Sequence, residues 1–202
     1  MPALSLPFDP EKLPRAAQAG RAEVGVERLI ERASGDTDLA VFVDTLVKDA
    51  GGRQLLDAIF GNSPFLGQCL LNEIGFLRDL LDRGPEAMFD DILETLDSRA
   101  TSDEGQDALM SRLRRAKRRV ALLIAIADIA DLWPLGQITG SLSKFADAAT
   151  HLTTAHLLQA AATQGALTLH DTDDPNLGSG YFVLGMGKLG ADELNYSSDI
   201  DL

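Results

Sequence analysis

The 202-residue chain is 45% hydrophobic and 24% charged, proportions that are typical of a globular protein and exclude an extended disordered one. Its formal net charge of −13 argues against a nucleic-acid-binding protein, because a phosphate backbone requires a basic surface. The single cysteine, Cys69, excludes an internal disulfide framework and fits the cytoplasm, where we expect the protein to reside. The longest apolar run, 120–127, is far shorter than the roughly 20 residues of a membrane span, so we expect no membrane partner.

Residues 1–165 are predicted to form an extended arm followed by a helical region. Four prolines within the first 14 residues favour the arm, which we assign to residues 1–19, and the helical region to 20–165. The sequence Gly-Asn-Ser-Pro at 61–64 predicts the end of one helix and the start of another, because serine caps a helix and proline suits its first turn. Helical spacing predicts helices over 20–33, 37–60, 64–81, 86–98, 105–132 and 139–163.

The segment 105–132 shows the most regular pattern. Its apolar residues recur at alternating intervals of four and three positions, which keeps them on one helix face: Leu109, Leu113, Ala116, Val120, Leu123, Ala127 and Ala130. Six of the 18 basic residues lie within 112–119. We interpret this basic cluster as the solvated face of the helix; the alternative is a binding surface for an acidic partner or a nucleotide. Trp133, which precedes a proline, is predicted to anchor the helix end.

The pattern changes near residue 166. Residues 170–180 are polar and rich in turn-forming residues, which indicates a loop. Tyr181–Leu184 has the composition of a short buried strand, and residues 199–202 alternate as in a second strand. The predicted fold class is therefore mostly α: a helical N-terminal region followed, over 166–202, by the incomplete start of an α+β domain.

Three glycines, Gly185, Gly187 and Gly190, match the spacing G-x-G-x-x-G of a dinucleotide-binding turn. Only about eight residues separate the last glycine from the next predicted strand, whereas a crossover between parallel strands needs a dozen or more. A Walker loop is excluded as well, because no Gly-Lys-Ser/Thr stands at the required spacing. The glycines alone therefore do not indicate a nicotinamide cofactor.

The aspartates Asp199 and Asp201 point to metal chemistry. Residues two apart on a strand share a face, with Cα atoms roughly 6–7 Å apart, so both carboxylates can approach one or two hard cations. Such a centre stabilises the attacking and leaving oxygens of a displacement at phosphorus. The candidate phosphate contacts are the backbone N–H groups at Gly187, the ammonium of Lys188, and the hydroxyls of Ser197 and Ser198.

These residues resemble the signature of a known family. GMGKLG at 185–190, ELN at 193–195 and SSDIDL at 197–202 resemble the active-site motif of glutamine synthetase adenylyltransferases, a bacterial family of the polymerase-β-type nucleotidyltransferase superfamily. Family members carry two such domains: the N-terminal one removes AMP from a tyrosine of glutamine synthetase and the C-terminal one adds it. Met186 and the ELN run resemble the adenylyl-removing copy. Residues 142–147 in the helical region echo the family too, whereas Ala191 stands where the family usually has glycine.

The resemblance implies specific roles for the motif residues. Asp199 and Asp201 would ligate Mg²⁺ or Mn²⁺, and inorganic phosphate would attack tyrosyl-AMP to release ADP. The residues expected near the nucleotide phosphates are Gly185, Gly187, Lys188, Ser197 and Ser198. The expected partners are glutamine synthetase and, as regulator, the PII signal protein. The superfamily uses a third carboxylate on a later strand, so we expect these 202 residues to be an inactive N-terminal fragment.

Two other hypotheses remain open at this stage. The first is an enzyme that resembles the PII uridylyltransferase, whose related turn and Asp-x-Asp motif differ in the residues between them. The second treats residues 1–165 as a helical interaction or regulatory module without catalysis of its own. Nucleotide and metal binding that depend on the two aspartates would distinguish the enzymes from the module.

Overall fold

The computed structural model describes residues 9–96 and 105–202. The first eight residues of the predicted arm and the end of the predicted helix 86–98 lie outside these ranges. The elements of the described part are the 3-10 turn Pro10–Lys12 and helices α1 Ala19–Ala33, α2 Thr37–Lys48, α3 Ala50–Asn62, α4 Pro64–Asn72, α5 Ile74–Arg83, α6 Pro85–Glu94, α7 Gln106–Ile129, α8 Leu135–Thr163 and α9 Gly187–Gly190. This architecture confirms the mostly α-helical fold class.

The chain is organised in two compact units. Unit 1 comprises the described residues up to Phe89 together with 121–134. Unit 2 comprises the described residues of 90–120 together with 135–202. Helices α6 and α7 therefore each contribute residues to both units, and the C-terminal glycine motif belongs to unit 2.

In unit 1, α1 packs closely on α3. Gly25 of α1 faces the ring of Phe60, so closely that a β-carbon at this position would lie 2.3 Å from the Phe60 Cγ. Arg21 donates from Nε to the Phe60 carbonyl (3.0 Å) and from Nη2 to the Gly61 carbonyl (2.7 Å). These carbonyls lie in the last turn of α3, where intrahelical partners are lacking, so Arg21 stabilises that helix end.

The segment before α1 lies against α3 in the same unit. Leu13 is buried, and the Asn62 side chain pairs with two backbone groups of this segment, donating to the Arg15 carbonyl and accepting from the Ala17 N–H. Lys12 forms a 2.7 Å ion pair with Asp131 beyond the end of α7. The described part of the arm is thus held to unit 1 by one buried side chain and several polar contacts.

Two of the predicted helices are each divided in the structure. The predicted helix 37–60 is interrupted at Asp49, which adopts an extended backbone and caps α3 by accepting the Gly52 N–H (2.8 Å). The predicted helix 64–81 is interrupted at Glu73, between α4 and α5. The predictions of single helices were wrong here because hydrophobic spacing persists across a capped break, and aspartate caps helices well. The predicted start at 63–64 is confirmed, since the Ser63 hydroxyl accepts from the Leu66 N–H.

Helix α7 confirms the apolar seam. All seven seam residues except the half-buried Leu113 are buried, and from Leu122 to Ala127 every residue is buried. The predicted anchor is also confirmed: Trp133 is buried, donates from Nε1 to Glu86 (2.6 Å), and meets the ring of Phe89 edge-on at 6.1 Å. Of the basic cluster, Arg114, Arg115 and Lys117 are exposed, in keeping with a solvated face.

In unit 2, α8 begins four residues earlier than predicted, directly after Pro134. The predicted strands were wrong. Tyr181–Leu184 is not a strand, and its side chains are exposed, Phe182 to 75%. Among the described residues of 199–202, pairing is limited to a single antiparallel bridge between Asp201 and Met186. A strand needs ladder partners and a buried face, and the described residues around 181–184 supply neither.

In the described part of the chain, none of the helices combines the length and the apolar character that crossing a membrane would require.

Candidate active site

The glycine motif forms a tight turn that opens the short helix α9. Gly187 has a φ of +54°, a conformation that costs glycine little and other residues more. Gly190 lies against the backbone of Gly185, where an added β-carbon would come 2.3 Å from the Gly185 carbonyl oxygen. Glycine is therefore required at these two positions for different reasons, one conformational and one steric.

The turn is brought next to Asp201 by a backbone hydrogen bond. The Met186 N–H donates to the Asp201 carbonyl (2.8 Å), which closes residues 186–201 into a loop. The Asp201 carboxylate then lies over the turn: a β-carbon on Gly187 would be 3.2 Å from Asp201 Oδ2. The structure thus places one predicted metal-binding carboxylate directly against one predicted phosphate-binding glycine.

Asn195 organises the segment that leads to the two aspartates. Its Oδ1 accepts from the Ser198 hydroxyl (2.7 Å) and from the Ser197 N–H (3.2 Å). The Asn195 carbonyl also accepts from the Ser198 N–H (3.2 Å). Asn195 is not among the predicted site residues, although an asparagine side chain that bonds the backbone two residues on is a recognisable Asx-turn signal.

The closed loop is held on α8. Leu189 and Leu194 are buried against Ala146 and the partly buried Leu142. Ser143, fully buried, accepts the Leu194 N–H at its Oγ (3.2 Å) and donates its hydroxyl to the Thr139 carbonyl one turn back (3.1 Å). The resemblance of residues 142–147 to the family is visible in the sequence, but the hydrogen bond between Ser143 and Leu194 is not.

A pocket of about 320 Å³ opens beside the turn, lined by α8 residues such as Asp147 and His151 and by residues 181–183. The pKa of Asp147 is raised, first by partial burial and second by the negative charge of Asp192. His151, one turn further along α8, is contacted by Asn176, whose Nδ2 lies 3.1 Å from both the His151 Nε2 and the His151 carbonyl oxygen.

The remaining predicted site residues lie at the surface of unit 2. Lys188, Ser197 and Asp199 are exposed, and Ser198 is half-buried. Gly185 is exposed and lines the pocket. Within residues 9–96 and 105–202, no group of three or more His, Cys, Asp or Glu side chains is placed to hold a metal ion. The described site therefore offers the carboxylates of Asp199 and Asp201 without a third acidic ligand.

The family model described as glutamate-ammonia ligase adenylyltransferase matches residues 53–202. Proteins named bifunctional glutamine synthetase adenylyltransferase/adenylyl-removing enzyme are similar to the chain. That of Bradyrhizobium sp. (strain ORS 278) is 41% identical over 150 residues, covering 74% of this chain and 15% of the relative. That of Rhizobium meliloti (strain 1021) is 39% identical over 193 residues, covering 93% and 19%. That of Brucella suis biovar 1 is 34% identical over 197 residues, covering 97% and 19%.

The chain thus spans less than one-fifth of the length of these curated relatives. No solved structure matches it.

Proposed function

Since this chain belongs to the glutamate-ammonia ligase adenylyltransferase family, we propose that it contributes to metal-dependent nucleotidyl transfer on glutamine synthetase. The observation that carries the proposal is the position of the Asp201 carboxylate, 3.2 Å from where a Gly187 β-carbon would lie. A carboxylate held against a glycine turn can present a cation and backbone N–H groups to the same phosphate. The family match favours this proposal over a uridylyltransferase and over a helical module without catalysis.

The donor set fits a magnesium or manganese ion. Asp199 and Asp201 offer hard carboxylate oxygens, and Mg²⁺ is commonly bound by one or two carboxylates plus substrate phosphates and water. Gly187 has no side chain that would fill the space beside the Asp201 carboxylate. When bound, the ion would neutralise charge that develops on the phosphoryl oxygens.

The residues of the turn would hold the nucleotide. The groups proposed to contact the nucleotide phosphates are the backbone of Gly185 and Gly187, the exposed ammonium of Lys188, and the Ser197–Ser198 segment. The hydrogen bonds of Asn195 support the last assignment, because they fix the local geometry of that segment before any ligand binds. A preorganised turn costs less to immobilise in the transition state.

The proposed reaction is phosphorolysis. An oxygen of inorganic phosphate attacks the phosphorus of tyrosyl-AMP, the bond from phosphorus to the tyrosyl oxygen breaks, and that oxygen takes up a proton. ADP and unmodified glutamine synthetase are the products. The resemblance of Met186 and residues 193–195 to the adenylyl-removing motif supports this direction over AMP addition. Regulation by the PII protein and a cytoplasmic location belong to the same proposal.

The test uses a protein of the relatives' full length that contains these residues. In it, Asp201→Asn is expected to lower ADP release from adenylylated glutamine synthetase by roughly 100-fold or more, because a lost ligand removes several kcal/mol of charge stabilisation. Asp199→Asn is expected to act in the same direction. ADP release would be measured at saturating phosphate while the Mg²⁺ concentration is varied.

Asp192→Asn provides the matched control. Asp192 is an exposed aspartate of the same loop with a φ of +57°, a conformation that asparagine tolerates. This variant is expected to retain activity within about threefold. Activity of the Asp201→Asn variant within threefold of wild type, or activity that is independent of divalent cations, would contradict the proposed function.

A further inference from the structure

A single buried hydroxyl on α8 contacts the backbone midway along the closed loop 186–201. We propose that Ser143 is a positioning residue that sets the glycine turn and the two aspartates in register with one another. This inference rests on the proposed function, in which those groups share one metal–phosphate site. Ser143 does not itself contact the site residues, so its effect would pass through Leu194.

The hydrogen bonds of Ser143 leave it little freedom. Its hydroxyl proton is donated to the Thr139 carbonyl, which directs an oxygen lone pair toward the Leu194 N–H. The side chain is fully buried, so water cannot replace it as the acceptor. A buried N–H that loses its partner is destabilised by the full cost of its desolvation.

The apolar contacts of the loop cannot supply this register alone. Leu189 and Leu194 pack on Ala146 and Leu142, and such burial favours contact without specifying direction. The Ser143–Leu194 hydrogen bond is directional and pins one backbone atom to one point on α8. It therefore selects one arrangement among those that the apolar contacts allow.

The position of Leu194 within the loop explains how the effect would spread. On one side, the Glu193 N–H donates to the Lys188 carbonyl (2.8 Å), which links Leu194 to the glycine turn. On the other side, Asn195 organises the approach to Asp199. The bond from the Met186 N–H to the Asp201 carbonyl joins the two ends. A displacement at Leu194 would therefore be transmitted to both halves of the proposed site.

The test compares Ser143→Ala with Ser141→Ala in the 202-residue chain. Ser141 is also buried on α8, so its replacement by alanine matches Ser143→Ala in side-chain change and burial. It differs in that no hydrogen bond joins Ser141 to the described residues of the motif, whereas Ser143 bonds the Leu194 N–H. Amide hydrogen exchange of Leu194 and Met186 would be followed by NMR, together with the Mn²⁺ concentration that half-broadens the Asp201 amide signal. Circular dichroism would identify a temperature at which all variants are folded, and the NMR measurements would be made at that temperature.

In Ser143→Ala we expect exchange of the Leu194 and Met186 amides to accelerate by roughly tenfold and the half-broadening Mn²⁺ concentration to rise by a similar factor. Ser141→Ala is expected to stay within twofold of wild type. Ser143→Cys keeps the side-chain shape but replaces the oxygen with a larger sulfur that is a weaker acceptor, and we expect it to fall between wild type and alanine. This graded variant decides the question if Ser143→Ala does not fold.

Two results would overturn the proposal: unchanged Met186 exchange in a folded Ser143→Ala or Ser143→Cys variant, or equal effects from Ser141→Ala. A wild-type chain that shows no Mn²⁺ broadening of Asp201 would count against metal binding by the two aspartates within the 202-residue chain, whereas ADP release by the full-length protein decides the proposed function. The exchange of Met186, which requires no metal, would still decide whether Ser143 positions the loop.

Discussion

Asp147 is the carboxylate at the edge of the site whose titration the fold alters. It follows Ala146, which packs on the closed loop, and it lines the pocket beside the turn. Partial burial is the larger cause of its raised pKa and the charge of Asp192 the smaller. Both causes disfavour the ionised carboxylate, so ionisation of Asp147 lowers the stability of the folded chain.

The pH dependence of stability should show this cost. Because the pKa of Asp147 is raised on folding, its protonated form favours the folded state at low pH, and this contribution is lost as the pH rises through the folded pKa. Asp147→Asn is therefore expected to match wild type near pH 3, below the ordinary pKa of an aspartate, and to be more stable at pH 7. Urea unfolding at both pH values, followed by circular dichroism, measures the difference.

Asp147→Asn removes the ionisable group and keeps the size and shape of the side chain. Asp173→Asn is a suitable comparison, since Asp173 is an exposed aspartate of the same unit. A variant that is less stable than wild type at pH 7, or equally changed at both values, would show that Asp147 stabilises the fold by another route.

At the scale of elements, the contact of α1 with α3 depends on a residue without a side chain. Gly25 is buried against Phe60, and the nearest ring and side-chain carbons leave no room for a methyl group. The hydrogen bonds of Arg21 lie one turn away on α1 and hold the end of α3 at the same interface. Close packing and carbonyl capping therefore act together at this helix pair.

Two alanine substitutions on α1 separate packing from helix propensity. Gly25→Ala is expected to destabilise the chain by about 1–3 kcal/mol, because the added carbon would lie 2.3 Å from the Phe60 Cγ and overpack the interface. Gly20→Ala on the same helix meets no atom within 4 Å and is expected to be neutral or to stabilise by up to about 1 kcal/mol. Chemical unfolding measures both, and a neutral Gly25→Ala would contradict the packing argument.

At the scale of the whole molecule, the described residues supply part of the proposed chemistry. The site has two candidate metal-binding aspartates. In the described ranges, no three or more Asp, Glu, His or Cys side chains lie together so that they could hold a metal ion. The relatives, moreover, are more than five times as long as the stretch they share with this chain. The proposed metal-dependent turnover is therefore expected of a protein of the relatives' length and not of residues 1–202 by themselves.

The 202-residue chain is accordingly expected to release no ADP from adenylylated glutamine synthetase in the presence of Mg²⁺ and inorganic phosphate. With only two carboxylates to hold the metal, the charge that develops on the reacting phosphoryl group would not be sufficiently neutralised. A full-length protein with the same residues serves as the positive control. Detectable ADP from the short chain, lost again in Asp201→Asn, would show that the third carboxylate is dispensable.

Helices and the signature motif could be predicted from the sequence because their determinants are local. An α-helix makes its hydrogen bonds within four residues, so the seam of α7 and the Ser63 cap were recognisable from spacing alone. The breaks at Asp49 and Glu73 were missed because the apolar spacing continues across them.

The arrangement of the site was decided by tertiary structure. Backbone pairing of Met186 with Asp201, the support of Leu194 by Ser143, and the exposure of residues 181–184 all depend on groups far apart in the sequence. Strand formation in particular requires partners that no local pattern guarantees. The sequence by itself therefore determined the helices and the chemical character of the motif, whereas only folding decided which glycine meets which carboxylate.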